Sequence, residues 1–155
     1  MARVTAAVAV GSSLGDRVAH VAFAQQRLAD LLDPIRFSTV IETAPVDVTG
    51  EQTPFLNAAA MGATNLTARE LLTALHALEQ ERGRARPHRN APRTLDLDLI
   101  LFGDLVLDEP GLVVPHPRFR DRRFVLEPLC EIAPDLVDPV THASVRDLLR
   151  NIGRA

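Results

Sequence analysis

Arg93-Thr94-Leu95-Asp96-Leu97-Asp98-Leu99-Ile100-Leu101-Phe102-Gly103 governs how the rest of this chain is read. Leu95, Leu97, Leu99 and Leu101 alternate with other residues, which is the period of a strand with one buried face. Asp96 and Asp98 then project to the opposite face, about 7 Å apart at the usual rise per residue. Two carboxylates side by side on an apolar strand repel each other and resist burial. A hard divalent cation, or a pair of them, removes that penalty. Paired magnesium ions in phosphoryl-transfer sites sit ~4 Å apart, a separation these carboxylates could hold between them. A solvated strand face is the plainer alternative, and the residues just before the strand weigh against it.

Gly83 to Thr94 carries Arg84, Arg86, Arg89 and Arg93, with His88 and no acid. Pro87 and Pro92 exclude a regular helix there. Arginine presents a planar fork suited to phosphate oxygens. All 17 basic residues of the chain are arginine, so a general bias explains part of this. Metal ligands beside several guanidinium groups are nevertheless the parts needed to handle a polyphosphate.

At 155 residues the chain is expected to form a single domain, 1–155, with a real core. Its hydrophobic content of 46% suits a globular protein, and a net charge of −3 argues against a general nucleic-acid binder. The lone Cys130 allows no intrachain disulfide and suits a reducing, cytoplasmic setting. The apolar run Val4 to Val10 after Arg3 is too short for a signal peptide, and no segment is long enough to span a membrane. A monomer is expected.

Outward from the aspartate strand, the order of elements is β-α-β-β-α-β. Val4 to Val10 is a first strand. Asp16 is a helix N-cap, with Val18, Val21, Ala22, Leu28 and Leu32 on the inner side. Ile35, Phe37, Thr39 and Ile41 alternate as a second strand, and Phe55 to Thr64 is a third. Thr67-Ala68-Arg69-Glu70 is a capping box opening a helix that buries Leu71, Leu75 and Leu78 and stops at Gly83. The aspartate strand is the fourth. The expected fold is α+β, a ferredoxin-like sandwich. Two short apolar pieces add a hairpin, and a C-terminal region of short helices is interrupted at Pro128 and Pro134. Gly11 to Gly15 reads as a turn plus cap, since no Gly-Lys-Ser/Thr follows it. The histidines show no zinc spacing.

With no Trp and no Tyr, any stacking must come from the six Phe residues. Phe55 and Asn57 share a parity, so a ring and an amide project to one face. Phe124 follows Arg122 and Arg123, in a region opened by Val114-Pro115-His116-Pro117. His76 and Glu79 are neighbours on the second helix, where a glutamate is ordinarily solvated.

Taken together, Gly11-Ser12-Ser13-Leu14-Gly15-Asp16, Thr43-Ala44-Pro45, Phe55-Leu56-Asn57-Ala58-Ala59, Glu79 with Gly83-Arg84 and Arg86, Ala91-Pro92-Arg93-Thr94-Leu95-Asp96-Leu97-Asp98-Leu99 and Val114-Pro115-His116 occur in an order that strongly resembles the 6-hydroxymethyl-7,8-dihydropterin pyrophosphokinase family of folate biosynthesis. The resemblance runs from Val4 to about Leu136 and implies the same ferredoxin-like α/β sandwich. It implies that Asp96 and Asp98 hold two Mg2+ ions. It implies an ATP site of His76, Glu79, Arg84, Arg86, Arg93, Leu99, His116 and Arg122, with Arg84 and Arg93 stabilising charge on the moving group. It implies a pterin between Phe55 and Phe124, its edge read by Thr43, Asn57 and backbone near Pro45 and Val46. The loops Thr43 to Pro54 and Gly83 to Pro92 would be lids. Asn90-Ala91 stands where many members carry Trp-Gly, and Pro117 where Tyr is frequent.

The implied reaction moves the β,γ-pyrophosphoryl group of ATP to the pterin hydroxymethyl oxygen, and AMP leaves. Two alternatives come from other classes. An RNA-binding ferredoxin-like module is disfavoured by the lack of paired aromatics on the sheet and by the negative charge. A metal-dependent phosphohydrolase would use water as acceptor and need no pterin.

Overall fold

The computed structural model describes residues 3–13, 15–43, 54–83 and 94–152. Strand β1 (Val4–Ser12) leads to helix α1 (Arg17–Leu28), two short strands β2 (Arg36–Phe37) and β3 (Ile41–Thr43), and the long strand β4 (Phe55–Thr64). Helix α2 (Ala68–Glu81), strand β5 (Asp96–Phe102), a hairpin of β6 (Leu107–Glu109) and β7 (Leu112–Val114), and helices α3 (Arg123–Ile132) and α4 (Val145–Ile152) follow.

The helix starts are local chemistry. Asp16 accepts the Ala19 N–H at 3.1 Å, as an N-cap should. Thr67 and Glu70 form a complete capping box, each side chain accepting the other's backbone N–H. Gly83, at φ +77°, turns the chain just past the end of α2, where a side chain would be strained.

Five strands form one sheet in the order β2-β4-β1-β5, with β3 also on β4, and β6 and β7 pair apart from it. All these pairings are antiparallel. Its middle is built of small residues, and Gly62 shows why. A Cβ there would come within 2.8 Å of Leu32 and 2.9 Å of the Pro34 carbonyl.

Both faces of the sheet are covered. On one, Val8, Val10, Ala60, Leu97 and Leu99 pack with Val21, Leu28, Leu71 and Leu75 of α1 and α2. On the other, Ala7, Ala9, Ala59 and Ile100 pack with Val125, Leu129, Val145 and Leu148 of α3 and α4. Among the described residues, no helix is long and apolar enough to cross a membrane.

Four expectations need correction. The second strand is two pieces, because Ser38 takes over the ladder: its hydroxyl accepts the Ala59 N–H at 2.8 Å, and the Thr39 N–H turns to the Glu131 carboxylate. Val18 is 71% exposed and Ala22 also faces out, since Val21, Ala24 and Leu28 set the inner face of α1. Leu101 does not share a face with Leu95, Leu97 and Leu99. The register on β1 slips between Ala7↔Leu101 and Val8↔Leu99, and this bulge moves Leu101 to the other core. Finally, Pro128 does not interrupt α3 but lies inside it, offering no N–H to the carbonyl four residues back.

Candidate active site

β5 is the edge strand of the sheet, and the functional residues gather around that edge. Leu95, Leu97 and Leu99 are buried under the helices, which leaves Asp96 and Asp98 half-buried on the α3 side. Asp98 pairs with Ala9 and Asp96 with Gly11 on β1, and beyond them lie Ala59 and Asn57 on β4. Paired residues share a face. Asp96, Gly11 and Asn57 therefore form one row across the sheet, with Ile41 of β3 next in line.

That row has a gap in its middle. A Cβ on Gly11 would lie 3.4 Å from Asn57 Oδ1, so glycine keeps open the space between the amide and the carboxylates. Asn57 itself is buried and donates from Nδ2 to Thr43 Oγ1 at 2.7 Å. Thr43 pairs with Phe55, so these three project to the same face as the aspartates. An amide, a hydroxyl and a ring on one flank thus face two carboxylates on the other. That suits a flat, polar-edged molecule lying beside a cation site.

At the outer side of β5 a cleft of about 290 Å³ brings together His76, Glu79, Asp96, Asp98, Leu99 and His116. Gly111 to Val113 of the hairpin and Pro117 complete its wall. Glu79 is only 1% exposed, contrary to the usual solvated helix glutamate, and its Oε2 accepts the Leu97 N–H at 2.7 Å. The carboxylate thereby fixes the backbone between the two aspartates. His116 donates its backbone N–H to the Ile100 carbonyl at 2.9 Å, and its Nδ1 accepts the Arg118 N–H at 3.1 Å. The neutral ring must then carry its proton on Nε2. Burial, with the Arg122 and Arg118 guanidinium groups, lowers the His116 pKa, and Asp96 opposes them. The lowered pKa favours the neutral ring, which is an Nε2–H donor.

Arg122 and Phe124 stand at the start of α3, with the guanidinium 5.6 Å from the ring centroid. The Phe124 ring packs on the second core. The predicted site residues Arg84, Arg86, Arg93, Pro45 and Val46 lie outside the described residues. Three contributors escaped the sequence reading: Gly11 as the gap, the hairpin as a wall, and Ser12, whose hydroxyl donates to the Thr94 carbonyl at the head of β5. Among the described residues no group of three or more His, Cys, Asp or Glu side chains is arranged to hold a metal. A magnesium ion that keeps water and phosphate oxygens as its other ligands needs only one or two carboxylates.

The model of the 7,8-dihydro-6-hydroxymethylpterin-pyrophosphokinase family matches residues 7–134. The chain is 40% identical over 134 residues to a Pseudomonas aeruginosa 2-amino-4-hydroxy-6-hydroxymethyldihydropteridine pyrophosphokinase, covering 83% of this chain and 80% of that one. It is 39% identical over 137 residues to the mitochondrial folate synthesis bifunctional protein of Arabidopsis thaliana, covering 88% of this chain and 24% of that protein. The solved wild-type HPPK-DHPS of Plasmodium falciparum superposes with a TM-score of 0.74 at 13% identity, over 97% of this chain and 45% of that one. The chain thus spans most of its bacterial relative and less than half of the longer proteins.

Proposed function

The chain belongs to the 7,8-dihydro-6-hydroxymethylpterin-pyrophosphokinase family, and from that premise and the cleft around β5 we infer that it transfers pyrophosphate from ATP to 6-hydroxymethyl-7,8-dihydropterin, giving AMP and the pterin diphosphate of folate synthesis. The observation that carries this is the single row from Asn57 through Gly11 to Asp96. It puts an amide suited to a heterocycle edge and a carboxylate suited to a cation on one face, with no side chain on Gly11 between them.

The strand order β2-β4-β1-β5, with β2 and β3 taken as one interrupted strand, supports a ferredoxin-like sandwich. Phe55 and Phe124 would hold the pterin ring, and Thr43 and Asn57 its edge, with backbone near Pro45 and Val46. Asn57 can do this because Thr43 fixes its Nδ2 and thus the direction of its Oδ1. His76, Glu79, Leu99, His116 and Arg122 would form the nucleotide side. There the His116 Nε2–H donates to a phosphate oxygen without adding charge. Asp96 and Asp98 fit magnesium by their hard oxygens and their spacing on one strand face, and two ions are proposed. Bound there, Mg2+ would supply charge neutralisation for the phosphates and for the attacking hydroxymethyl oxygen. The side chains themselves align the two substrates, which is most of what such a transfer asks of a protein. Arg84, Arg86 and Arg93 would bring guanidinium groups to the triphosphate from the loop before β5.

The nucleotide product tests the proposal. With ATP, magnesium and the hydroxymethyl-dihydropterin, AMP should form in step with the pterin diphosphate. ADP, inorganic phosphate, or AMP released without pterin would overturn it.

A further inference from the structure

Arg120 and Asp138 form an ion pair that takes no part in lining the cleft. Arg120 Nε meets Asp138 Oδ2 at 2.5 Å and Nη2 meets Oδ1 at 2.9 Å, a two-pronged contact. Asp138 is fully buried, and its oxygens also accept the Val140 N–H and the Thr141 hydroxyl. Burial raises the Asp138 pKa, but these donors outweigh it and bring the carboxyl down to about 2. The His142 N–H returns to the Asp138 carbonyl at 2.8 Å, with His142 in the left-handed region at φ 64°, so the loop around the aspartate is closed on itself.

For stability alone such a pair has little advantage. Desolvation takes back most of the attraction, and an apolar pair of similar volume often does as well or better. What the pair does fix is position. Arg120 is the middle residue of the 3-10 turn Phe119–Asp121. Through that turn the Phe119 N–H donates to the His116 carbonyl, the Arg122 N–H to the Phe119 carbonyl, and the Leu126 N–H of α3 to the Arg122 carbonyl. His116, Arg122 and Phe124 therefore hang on one short hydrogen-bonded unit. Phe119, wholly buried under the Arg120 guanidinium, pins that unit from below. Asp138 pins it from the side.

We propose that Arg120 and Asp138 are positioning residues: the pair clamps the turn so that His116, Arg122 and Phe124 stand in their binding arrangement before substrates arrive. This rests on the function inferred above, and it assigns to the α3–α4 loop the work of preorganising a site that it does not touch.

The decisive variant is the double substitution Arg120→Met with Asp138→Leu, because it removes the pair without leaving a buried charge. Val140 and Thr141 are exposed, so water can satisfy the groups it frees. The thermal midpoint should stay within a few degrees of the wild type. KM for ATP and the pterin dissociation constant, read by pterin fluorescence, should each rise at least tenfold. Arg120→Lys, which keeps the charge and gives up the two-pronged contact, should fall between. If wild type makes AMP while the double variant keeps both affinities within twofold, the pair is structural and the clamp is refuted. If wild type makes no AMP from ATP and the pterin, the function itself is wrong and the clamp falls with it.

Discussion

Removing the Glu79 carboxylate should loosen the strand that carries the two aspartates. Glu79 Oε2 accepts the Leu97 N–H at 2.7 Å, and that bond is buried. A hydrogen bond to a charged group contributes about 1.5–3 kcal/mol net, and an orphaned buried N–H costs about 1–3 kcal/mol. These two figures describe overlapping losses and do not add. Glu79→Ala also relieves the cost of holding a buried carboxylate, so we expect a net loss of about 2–3 kcal/mol. For a chain of this length each kcal/mol moves the midpoint by about 2–4 °C, giving a fall of roughly 5–10 °C. Glu79→Gln keeps a carbonyl acceptor and should lose less than half as much. Thermal unfolding followed by circular dichroism, with urea titration as a check, measures both. Because Leu97 sits between Asp96 and Asp98, KM for ATP should rise with the destabilisation. An alanine variant melting within about 2 °C of wild type would refute the role of the carboxylate as an anchor for β5. So would a glutamine variant as damaged as the alanine one.

Other expectations follow from separate parts of the molecule. Asp96→Asn or Asp98→Asn should lower kcat by at least ~100-fold with the far-ultraviolet spectrum unchanged, as steady-state kinetics and circular dichroism would show. Phe124→Ala should weaken pterin binding by roughly 1–3 kcal/mol and leave ATP binding nearly intact, measured by pterin fluorescence and calorimetry. Gly11→Val should fill the gap beside Asn57, where even a Cβ lies 3.4 Å from Oδ1, and cut pterin affinity at least tenfold with little change in melting temperature. Asp138 should shape the acid limit of stability: its carboxyl titrates at about 2 in the fold against an ordinary 3.8. A depressed carboxyl stabilises the fold above its unfolded value, so a contribution on the order of 2 kcal/mol should disappear as pH falls from about 4 to about 2. Asp138→Asn should flatten that limb of a stability-against-pH curve.

Where the signal was local, the sequence predicted the structure closely. β4 spans Phe55–Thr64 as expected, its mostly apolar run bounded by Pro54 and Asn65. The Thr67–Glu70 box marks the start of α2 because both partners lie within one turn. The aspartate strand is legible because charge interrupts leucine at every second place. What was hidden depends on neighbours distant in the chain. The bulge opposite Ala7 and Val8 is invisible in a run of leucine and isoleucine, where a slip of one residue still offers an apolar side chain to either core. Ser38 breaks the second strand only because Ala59 is there to donate to it. The burial of Glu79 is hidden because one of its partners is a backbone N–H on another element, and no side-chain pattern records a backbone donor. On α1, Val18 and Ala22 face out although the sequence sets them with Val21 and Leu28, because alanine and valine mark an inner side weakly.

The location of the cleft at β5 has a consequence for behaviour in concentrated solution. An edge strand displays unpaired N–H and C=O groups, a template on which a strand of another molecule can form. Here two of those groups are already occupied, the Leu97 N–H by the Glu79 side chain and the Ile100 carbonyl by the His116 backbone. Chain segments that build the cleft therefore also shield the edge against self-association. A lesion that frees either group should show itself as loss of soluble protein as well as loss of turnover, and the aggregates should carry the intermolecular β signature in infrared spectra.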